Sequence, residues 1–298
     1  MPPVDQTRTF EKRLSDFGAE LGRFLDRVWR QRAGIDITSF ARGTATIYGM
    51  YSGRAAQRAY AEAELKTFMD GLKGLAGRYA VCPQGCPVMS DKWSDALIKV
   101  YGHDLWCDFY HVLSTPNPAK AIRARVYVHA ANPGASLEIM KVIVDQFGVN
   151  TGLWEAKTAG PGAVRLDTIV AYLYDDAARG DLVTQLKKTA ASQASLFADS
   201  LPPLVKREGA GIGIADEPPE IEIFRGGGTQ HSFGSFFSTL TWVALKNTPN
   251  VRQNTADGRH MLDNVLYSLR VLRVDPRNPQ RFPEASTLEQ WYLTSVAR

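Results

Sequence analysis

The segment AIRARVYVHA, residues 121–130, constrains the fold more than any other part of the chain. Polar and apolar side chains alternate along it, which is the period of a β-strand with two unlike faces. The apolar face, which we expect to join the core, consists of Ile122, Ala124, Val126 and Val128. The polar face consists of Arg123, Arg125, Tyr127 and His129. Such a face binds anions and carries groups that exchange protons; the alternative is a basic face that is merely solvated.

The residues after this strand supply further cations. Hydrophobic patterning predicts a helix over 135–147, followed by strands over 152–158 and 164–174. The first of these strands contains Lys157, and the second opens with Arg165. Strands and helices in this order predict an α+β fold, with a mixed or antiparallel sheet and flanking helices.

The first third of the chain is predicted to be largely helical. Apolar residues at steps of three and four indicate helices over 9–30 and 55–75. The segment 35–54 is rich in glycine, threonine and tyrosine, which favours irregular or short extended structure. A loop with the sequence VCPQGCPVMSDKW precedes a further predicted helix over 94–113.

A domain boundary is predicted at STPNPAK, residues 114–120, because two prolines and an asparagine interrupt the pattern there. It separates a helical N-terminal region, 1–118, from an α+β core, 119–298. Within the core a helix is predicted over 180–200. A glycine- and proline-rich loop follows, and then helices that begin at SFGSFF, MLDNVL and TLEQWY.

The composition excludes several classes of protein. The formal net charge is only +4, and no basic run is dense enough to predict nucleic-acid binding, so a local anionic substrate explains the basic strand better. No stretch of about 18 apolar residues predicts a membrane span. The N-terminal segment MPPVDQTRTFEKRL is polar and has no apolar signal region, from which we expect a cytoplasmic protein without a membrane partner.

The three cysteines do not indicate a disulfide framework, because their number is odd and no signal region accompanies them. Cys82 and Cys86 would need His103 and Cys107 to complete a zinc site. That spacing matches no established zinc motif, so we expect free thiols and no metal. His111 has no evident partner on its predicted helix, which favours a structural or solvated role.

The polar strand and the cations after it fit one chemistry. Guanidinium groups bind phosphate through paired hydrogen bonds, and a lysine among other cations serves as a base. A tyrosine or histidine nearby can deliver a proton. Together these groups predict β-elimination of phosphate from a phosphorylated side chain, a reaction that needs neither a metal nor an organic cofactor.

Five motifs of the core carry a resemblance to a known family: RVYVHA, WEAK, VRLDTIVAYLYDD, LPPLVKREGAGIGIADEPP and SFG. Over about residues 119–245 the chain resembles the HopA-type effector family. Its members include bacterial type III effectors and proteins of lanthipeptide and thioamitide gene clusters, in which a kinase-like partner phosphorylates a precursor peptide. The family is similar to the phosphothreonine lyases. The resemblance therefore implies a phosphoserine or phosphothreonine lyase that forms dehydroalanine or dehydrobutyrine in such a peptide.

The resemblance also implies roles for individual residues. Lys157 would be the base that removes the α-proton, and Arg165 would bind phosphate. The lyases carry a Lys-x-His pair on a strand, which supplies a phosphate contact and a general acid. It corresponds here to Arg125 and Tyr127 or, two residues on, to Tyr127 and His129, so both Tyr127 and His129 are candidate acids.

Further phosphate contacts are implied at three basic residues of the core. Lys206 matches the lysine of the P-x-x-K element in LPPLVK. Arg123 and Arg207 are additional candidates with weaker support from the motifs.

Two departures from the family pattern leave a non-catalytic function open. The family often has an arginine where this chain has Phe237, and Arg225 in the FRGGG loop is the candidate to replace it. The lyases also carry a lysine where this chain has Tyr174, Asp175 and Asp176. The alternatives are an effector-like or adaptor protein that binds a partner protein, and a phosphopeptide-binding module that lacks the acid or the base.

Overall fold

The computed structural model describes the chain over residues 9–55, 59–77, 80–83, 109–113, 122–218 and 232–282. Within these ranges the helices are α1 (Phe10–Leu14), α2 (Ala19–Arg30), α3 (Phe40–Ser52), α4 (Glu62–Ala76), α5 (Pro133–Gln146), α6 (Asp176–Ser192), α7 (Phe233–Lys246) and α8 (Gly258–Val271). The strands are β1 (Ala80–Pro83), β2 (Phe109–Leu113), β3 (Ala124–Val128), β4 (Leu153–Ala159), β5 (Ile169–Leu173), β6 (Lys206–Gly209) and β7 (Ile212–Asp216).

The chain divides into two compact units. The first combines Met1–Gly53 with Asp216–Arg298, and the second is the continuous segment Arg54–Ala215. This division differs from the predicted one, because residues 114–120, which lie outside the described ranges, fall within the sequence of the second unit. Helices from both ends of the chain share one core in the first unit, and a local pattern in the sequence does not reveal such pairing.

Helix α7 lies at the centre of the first unit. Its aromatic and aliphatic side chains are buried around most of its circumference, as is typical of a helix enclosed by others. Helices α3 and α8 pack against α7, α2 packs against α3, and α1 packs against α8. None of the described helices of the protein is both long enough and apolar enough to span a membrane.

The single helix predicted over 9–30 is wrong, because the structure has two helices there. The chain leaves helical geometry before α2, where Gly18 is the N-cap in an extended conformation. The Gly18 amide donates a hydrogen bond to the Pro276 carbonyl at 2.9 Å, and a Cβ at this position would lie 2.7 Å from the Arg277 carbonyl oxygen. The helix is therefore interrupted where these two segments of the first unit approach each other, although the apolar period of the sequence continues.

The prediction of irregular structure over 35–54 is also wrong, since α3 occupies most of that segment. Ser39 caps its first turn by accepting a hydrogen bond from the Arg42 amide. Gly53 ends the helix in the left-handed region, with φ of 63°. Gly43 lets Trp242 of α7 lie against the helix, because a Cβ there would be 2.1 Å from the indole nitrogen. The packing of α3 on α7 thus outweighs its low helix propensity.

The second unit is built on a sheet in which the seven described strands run in the order β1-β2-β4-β5-β3-β7-β6. Five pairs of neighbours are antiparallel: β1 with β2, β2 with β4, β4 with β5, β5 with β3, and β6 with β7. The register shifts between Leu153 and Glu155 in β4 and between Arg207 and Gly209 in β6. Together with its helices this sheet confirms the predicted α+β fold. Strand β3 and strand β4 also lie where the sequence predicts them.

Five strands differ from the sequence prediction. Strand β1 includes residues 81–83, which the sequence predicts as the start of a loop. Residues 109–113, predicted as the end of a helix, form β2. The glycine-rich segment predicted as loop forms the β6–β7 hairpin, whose turn contains Gly211 with φ of 62°. Strand β5 begins at Ile169, so Arg165 lies in the loop before the strand and does not open it.

The helices of the second unit cover one face of its sheet. Helix α5 packs against α4, α6 and β4, and α6 packs against β3 and β5. Apolar side chains of these elements form one buried cluster that includes Val126, Val128, Ile139, Leu182 and Ile212. The apolar face predicted from the alternation in residues 121–130 is therefore the face that joins the core.

Candidate active site on the polar face of the sheet

Strand pairing brings polar residues of four strands into rows on the face opposite the helices. One row across β2, β4, β5 and β3 consists, in that order, of His111, Lys157, Val170 and Tyr127. The adjoining row across β4, β5 and β3 consists of Glu155, Tyr172 and Arg125. Residues two apart along a strand share a face, so both rows lie on the same side of the sheet.

Two aromatic rings link three cations on this face. The Lys157 Nζ lies 4.3 Å from the centroid of the Phe109 ring and 5.5 Å from that of Tyr172. The Arg165 Cζ lies 4.1 Å from the Phe109 centroid, and the Arg125 Cζ lies 4.7 Å from the Tyr172 centroid. Each ring thus attracts two cations through its electron-rich face. The rings hold three like charges close together, which favours the binding of an anion.

A carboxylate fixes the orientation of Arg165. Its Nε donates to Asp167 Oδ1 at 2.6 Å and its Nη2 donates to Oδ2 at 3.0 Å, which is a bidentate pair. Both side chains are at least 95% buried, so the pair is held in a fixed geometry. The guanidinium therefore presents a defined plane to the Phe109 ring, although Asp167 offsets part of its charge.

A second carboxylate holds a histidine that the sequence did not single out. His111 lies on β2, not on a helix as predicted, and its Nδ1 hydrogen-bonds to Glu155 Oε1. Its Nε2 is buried and has no hydrogen-bond partner among the described residues. Glu155 is itself only 4% exposed. The prediction that His111 lacks a partner is therefore wrong.

The two candidate acids occupy different positions. Tyr127 is 2% exposed and lies in the row of Lys157, two strands away. His129 follows the end of β3. Its Nδ1 lies 2.8 Å from the Ser200 carbonyl oxygen, a geometry in which Nδ1–H donates, and its amide donates to the Gly211 carbonyl. The structure thus places Tyr127 in the same row as Lys157, whereas His129 is hydrogen-bonded to the 198–200 segment.

Lys206 and Arg207 do not lie with Lys157. They belong to the edge strand β6, four strands from β4, or about 19 Å at the usual strand spacing. Lys206 pairs with Glu208 at 2.7 Å, and this hydrogen bond lowers the pKa of the Glu208 carboxyl. Glu208 also pairs with Lys187 of α6, which places it on the face that the helices cover. Arg207 pairs with Asp199 at 2.9 Å in an exposed position.

The remaining predicted residues are dispersed. Arg123 is exposed, and its amide donates to the Leu173 carbonyl at 2.9 Å. Arg225 lies outside the described residues. Phe237, at the position of the family arginine, is fully buried in the first unit, with its ring centroid 5.1 Å from that of Phe233. Asp175 caps α6 by accepting a hydrogen bond from the Ala178 amide.

The charges of the site favour an anionic ligand. The cations are Arg125, Lys157 and Arg165, and the carboxylates are Glu155 and Asp167. This balance leaves one net positive charge when His111 is neutral and two when it is protonated. Among the described residues, no three His, Cys, Asp or Glu side chains gather in the way that a bound metal ion requires. The three cations thus make this face suited to bind an anion, and His111, Lys157 and Tyr127 are groups on it that can exchange protons.

Sequence reasoning missed four members of this site: Phe109, His111, Glu155 and Tyr172. Glu155 could have been identified from the sequence, because it precedes Lys157 by two residues in WEAK and therefore shares its face of the strand. Tyr172 could also have been identified from the sequence, since it lies on a predicted strand. Strand β2 gave no such signal, because both of its faces are largely buried and its apolar side chains do not alternate with polar ones.

Comparison with known proteins supports this architecture. The structure is similar to that of the effector protein from Pseudomonas syringae pv. tomato strain DC3000, with a TM-score of 0.63, 17% identity, and coverage of 88% of this chain and 97% of the effector. The effector protein from Pseudomonas syringae pv. syringae strain 61 matches with a TM-score of 0.65 and 15% identity over 89% of this chain and 97% of that effector. At these identities the similarity shows a common fold.

Among curated protein sequences none matches this chain. A family model described as the HopA1 effector protein family matches residues 107–281, which is more than half of the chain and includes the strands that carry the cations. The chain belongs to the HopA1 effector protein family.

Proposed function

We propose that the polar face of the sheet is the active site of a lyase that eliminates phosphate from phosphoserine or phosphothreonine in a peptide. The observation that carries the proposal is that Lys157 is linked to Arg125 and Arg165 through the rings of Tyr172 and Phe109. A lysine base and guanidinium groups that bind phosphate are the groups that this elimination needs.

Each group has a role in the reaction. Lys157, in its neutral amine form, removes the proton from the α-carbon. The electrons of the broken C–H bond form the double bond, and the bond from the β-carbon to oxygen breaks. Arg125 and Arg165 stabilise the phosphate that leaves. A proton donor completes the step, and Tyr127 is the sequence-predicted donor that lies in the row of Lys157.

The proposed substrate is a phosphorylated precursor peptide, in which phosphoserine gives dehydroalanine and phosphothreonine gives dehydrobutyrine. A separate kinase-like protein would supply the phosphate groups. The support for both statements is the resemblance of the core motifs to biosynthetic members of the family. Co-purification of this protein with a kinase encoded beside it is the direct test of the partnership.

Mass spectrometry of a phosphothreonine peptide incubated with the protein tests the activity. We expect the peptide to lose the mass of phosphoric acid. Lys157→Ala should abolish this loss, because it removes the amine that takes the α-proton in the proposed reaction. Lys188→Ala is the matched control, since Lys188 is an exposed lysine on α6.

The proposal fails if the intact protein does not release phosphoric acid from a cognate peptide in the presence of its kinase. Activity of Lys157→Ala equal to that of Lys188→Ala would remove Lys157 from the role of base while leaving the lyase activity itself in place.

A second candidate function is that of a non-catalytic effector or adaptor that binds a partner protein or a phosphopeptide. Its support is that both solved structures described above are named effector proteins and share the fold over most of the chain. This function predicts that the protein binds a phosphothreonine peptide, or a partner, without any change in the mass of the peptide.

A further inference from the structure

The reaction proposed above assigns no function to His111 and Glu155, which form a hydrogen-bonded pair. The imidazole Nδ1 is held by the buried Glu155 carboxylate, whereas Nε2 is buried and lacks a hydrogen-bond partner among the described residues. Burying a polar atom without a partner costs free energy, and in native proteins such atoms are few. Nε2 is thus a group that a ligand on this face would satisfy.

The position of His111 is closer to the base than that of Tyr127. His111 lies directly opposite Lys157 in the β2–β4 register, and Cβ atoms of such pairs are about 5 Å apart. Tyr127 is separated from Lys157 by β5, which corresponds to about 10 Å. Elimination breaks bonds at two adjacent carbon atoms, so the acid and the base must act within a few ångströms of each other.

The chemistry of the two residue types also favours histidine. A general acid is most efficient when it titrates near the working pH, and histidine side chains do so whereas tyrosine side chains titrate about three pH units higher. Glu155 also fixes the orientation of the imidazole through the hydrogen bond at Nδ1, which leaves Nε2 for a ligand.

We propose that His111 is the proton donor to the leaving phosphate, an inference that rests on the proposed lyase function. In the imidazolium form Nδ1–H donates to Glu155, and Nε2–H donates to the oxygen that bridges the β-carbon and phosphorus. As the carbon–oxygen bond breaks, the Nε2 proton passes to that oxygen and hydrogen phosphate leaves. Lys157 retains the α-proton, so the step is balanced. Glu155 is a positioning residue that acts through His111.

A change of leaving group tests the proton donor. Sulfate has the tetrahedral shape of phosphate but is a much weaker base, so it leaves without being protonated. With a phosphoserine peptide, His111→Gln should reduce the rate of elimination by about a hundredfold or more. With the same peptide carrying O-sulfoserine, the reduction should be at least tenfold smaller. His260→Gln, on α8 of the first unit, is the matched control and should leave both rates unchanged.

An equal loss on both peptides would overturn the proposal, because it would show that His111 only maintains the structure. Unchanged rates in His111→Gln would overturn it as well, and would return the role of acid to Tyr127. Thermal melting of each variant reports whether it is folded.

The pH profile tests Glu155 as a positioning residue. The charged groups that share this face with His111 among the described residues are Glu155, Lys157, Arg125, Arg165 and Asp167. Glu155→Gln keeps a hydrogen-bond acceptor for Nδ1–H but replaces the carboxylate with a neutral amide, and an amide stabilises a neighbouring cation less than a carboxylate does. We therefore expect the alkaline limb of the pH profile to move to lower pH, with Glu138→Gln, an exposed residue of α5, as the control. An unmoved limb would contradict this role.

The assay of the intact protein separates the two proposals. Absence of elimination by the wild-type protein overturns the lyase function, whereas elimination that does not depend on His111 overturns only the present inference. Long-range ¹H–¹⁵N spectra of the wild-type protein, with His111→Gln for assignment, provide a readout that does not require turnover. Saturating inorganic phosphate should shift the His111 Nε2 resonance; an unchanged resonance would show that His111 does not meet the phosphate.

Discussion

At the scale of single residues, Phe237 shows how one departure from the family pattern is built into the structure. Its ring is fully buried among Phe233, Phe236 and Phe282, with centroids 5.1 to 6.4 Å away. An arginine at this position would bury a charge among aromatic rings. The residue therefore contributes to the core of the first unit, and the phosphate binding proposed above relies on other cations.

The Phe237→Arg variant should lose about 3 to 5 kcal/mol of the free energy of unfolding, because an unpaired charge would enter an apolar core. Urea denaturation followed by circular dichroism measures this loss. Tyr267→Arg on α8 is the control, since its half-exposed side chain should change stability by no more than about 0.5 kcal/mol. A stable Phe237→Arg protein would show that this position accommodates a cation.

At the scale of elements, the β6–β7 hairpin depends on the conformation of its turn. Gly211 has φ of 62°, and a Cβ there would lie 2.3 Å from the Ala198 carbonyl oxygen and 3.0 Å from that of His129. Both the left-handed backbone and the contact exclude a side chain. The hairpin can therefore pack beside β3 only because this residue is glycine.

Gly211→Ala should lower the free energy of unfolding by about 2 kcal/mol or more, from backbone strain and from the clash. Gly180→Ala is the contrasting variant, because Gly180 lies within α6 with open space around it. It should gain about 0.5 to 1 kcal/mol from improved helix propensity. Denaturation midpoints of the two variants should thus shift in opposite directions; equal shifts would contradict this account.

The elements that the sequence predicts well are those whose buried side chains recur at one regular spacing along the chain. The alternation of residues 121–130 predicts β3 and its buried face, and the steps of three and four in α4 and α5 predict both helices. Helix α3 and strand β2 were missed because their structure depends on tertiary partners. Trp242 packs against Gly43 in the first case, and both faces of the strand are largely buried in the second.

The residues of the candidate site divide in the same way, into those that a local sequence pattern reveals and those that depend on tertiary contacts. Lys157 and Arg125 could be found from the sequence because alternation alone assigns them to the polar face of predicted strands. The pairing of His111 with Glu155 could not, because it joins residues 44 positions apart through a register that no local pattern determines. Lys206 was placed with Lys157 by its motif, but the order of strands puts β6 at the edge of the sheet.

At the scale of the whole molecule, the two units should differ in their ability to fold alone. The second unit is one continuous segment with its own buried cluster, whereas the first requires both ends of the chain. We expect a fragment of residues 54–215 to give dispersed amide resonances and a cooperative thermal transition. A fragment of residues 216–298 should be largely unfolded until a peptide of residues 1–53 is added. A cooperatively folded fragment 216–298 on its own would contradict the shared core.

The division of the first unit between both ends of the chain has a consequence during synthesis. Helices α1 to α3 leave the ribosome well before α7, against which α3 packs. At usual rates of translation this interval is on the order of ten seconds or more. The apolar stripe of α2, formed by Leu21, Phe24, Leu25 and Val28, is exposed to chaperones and to other nascent chains throughout that time. These helices are thus made long before the helices that complete their native surroundings.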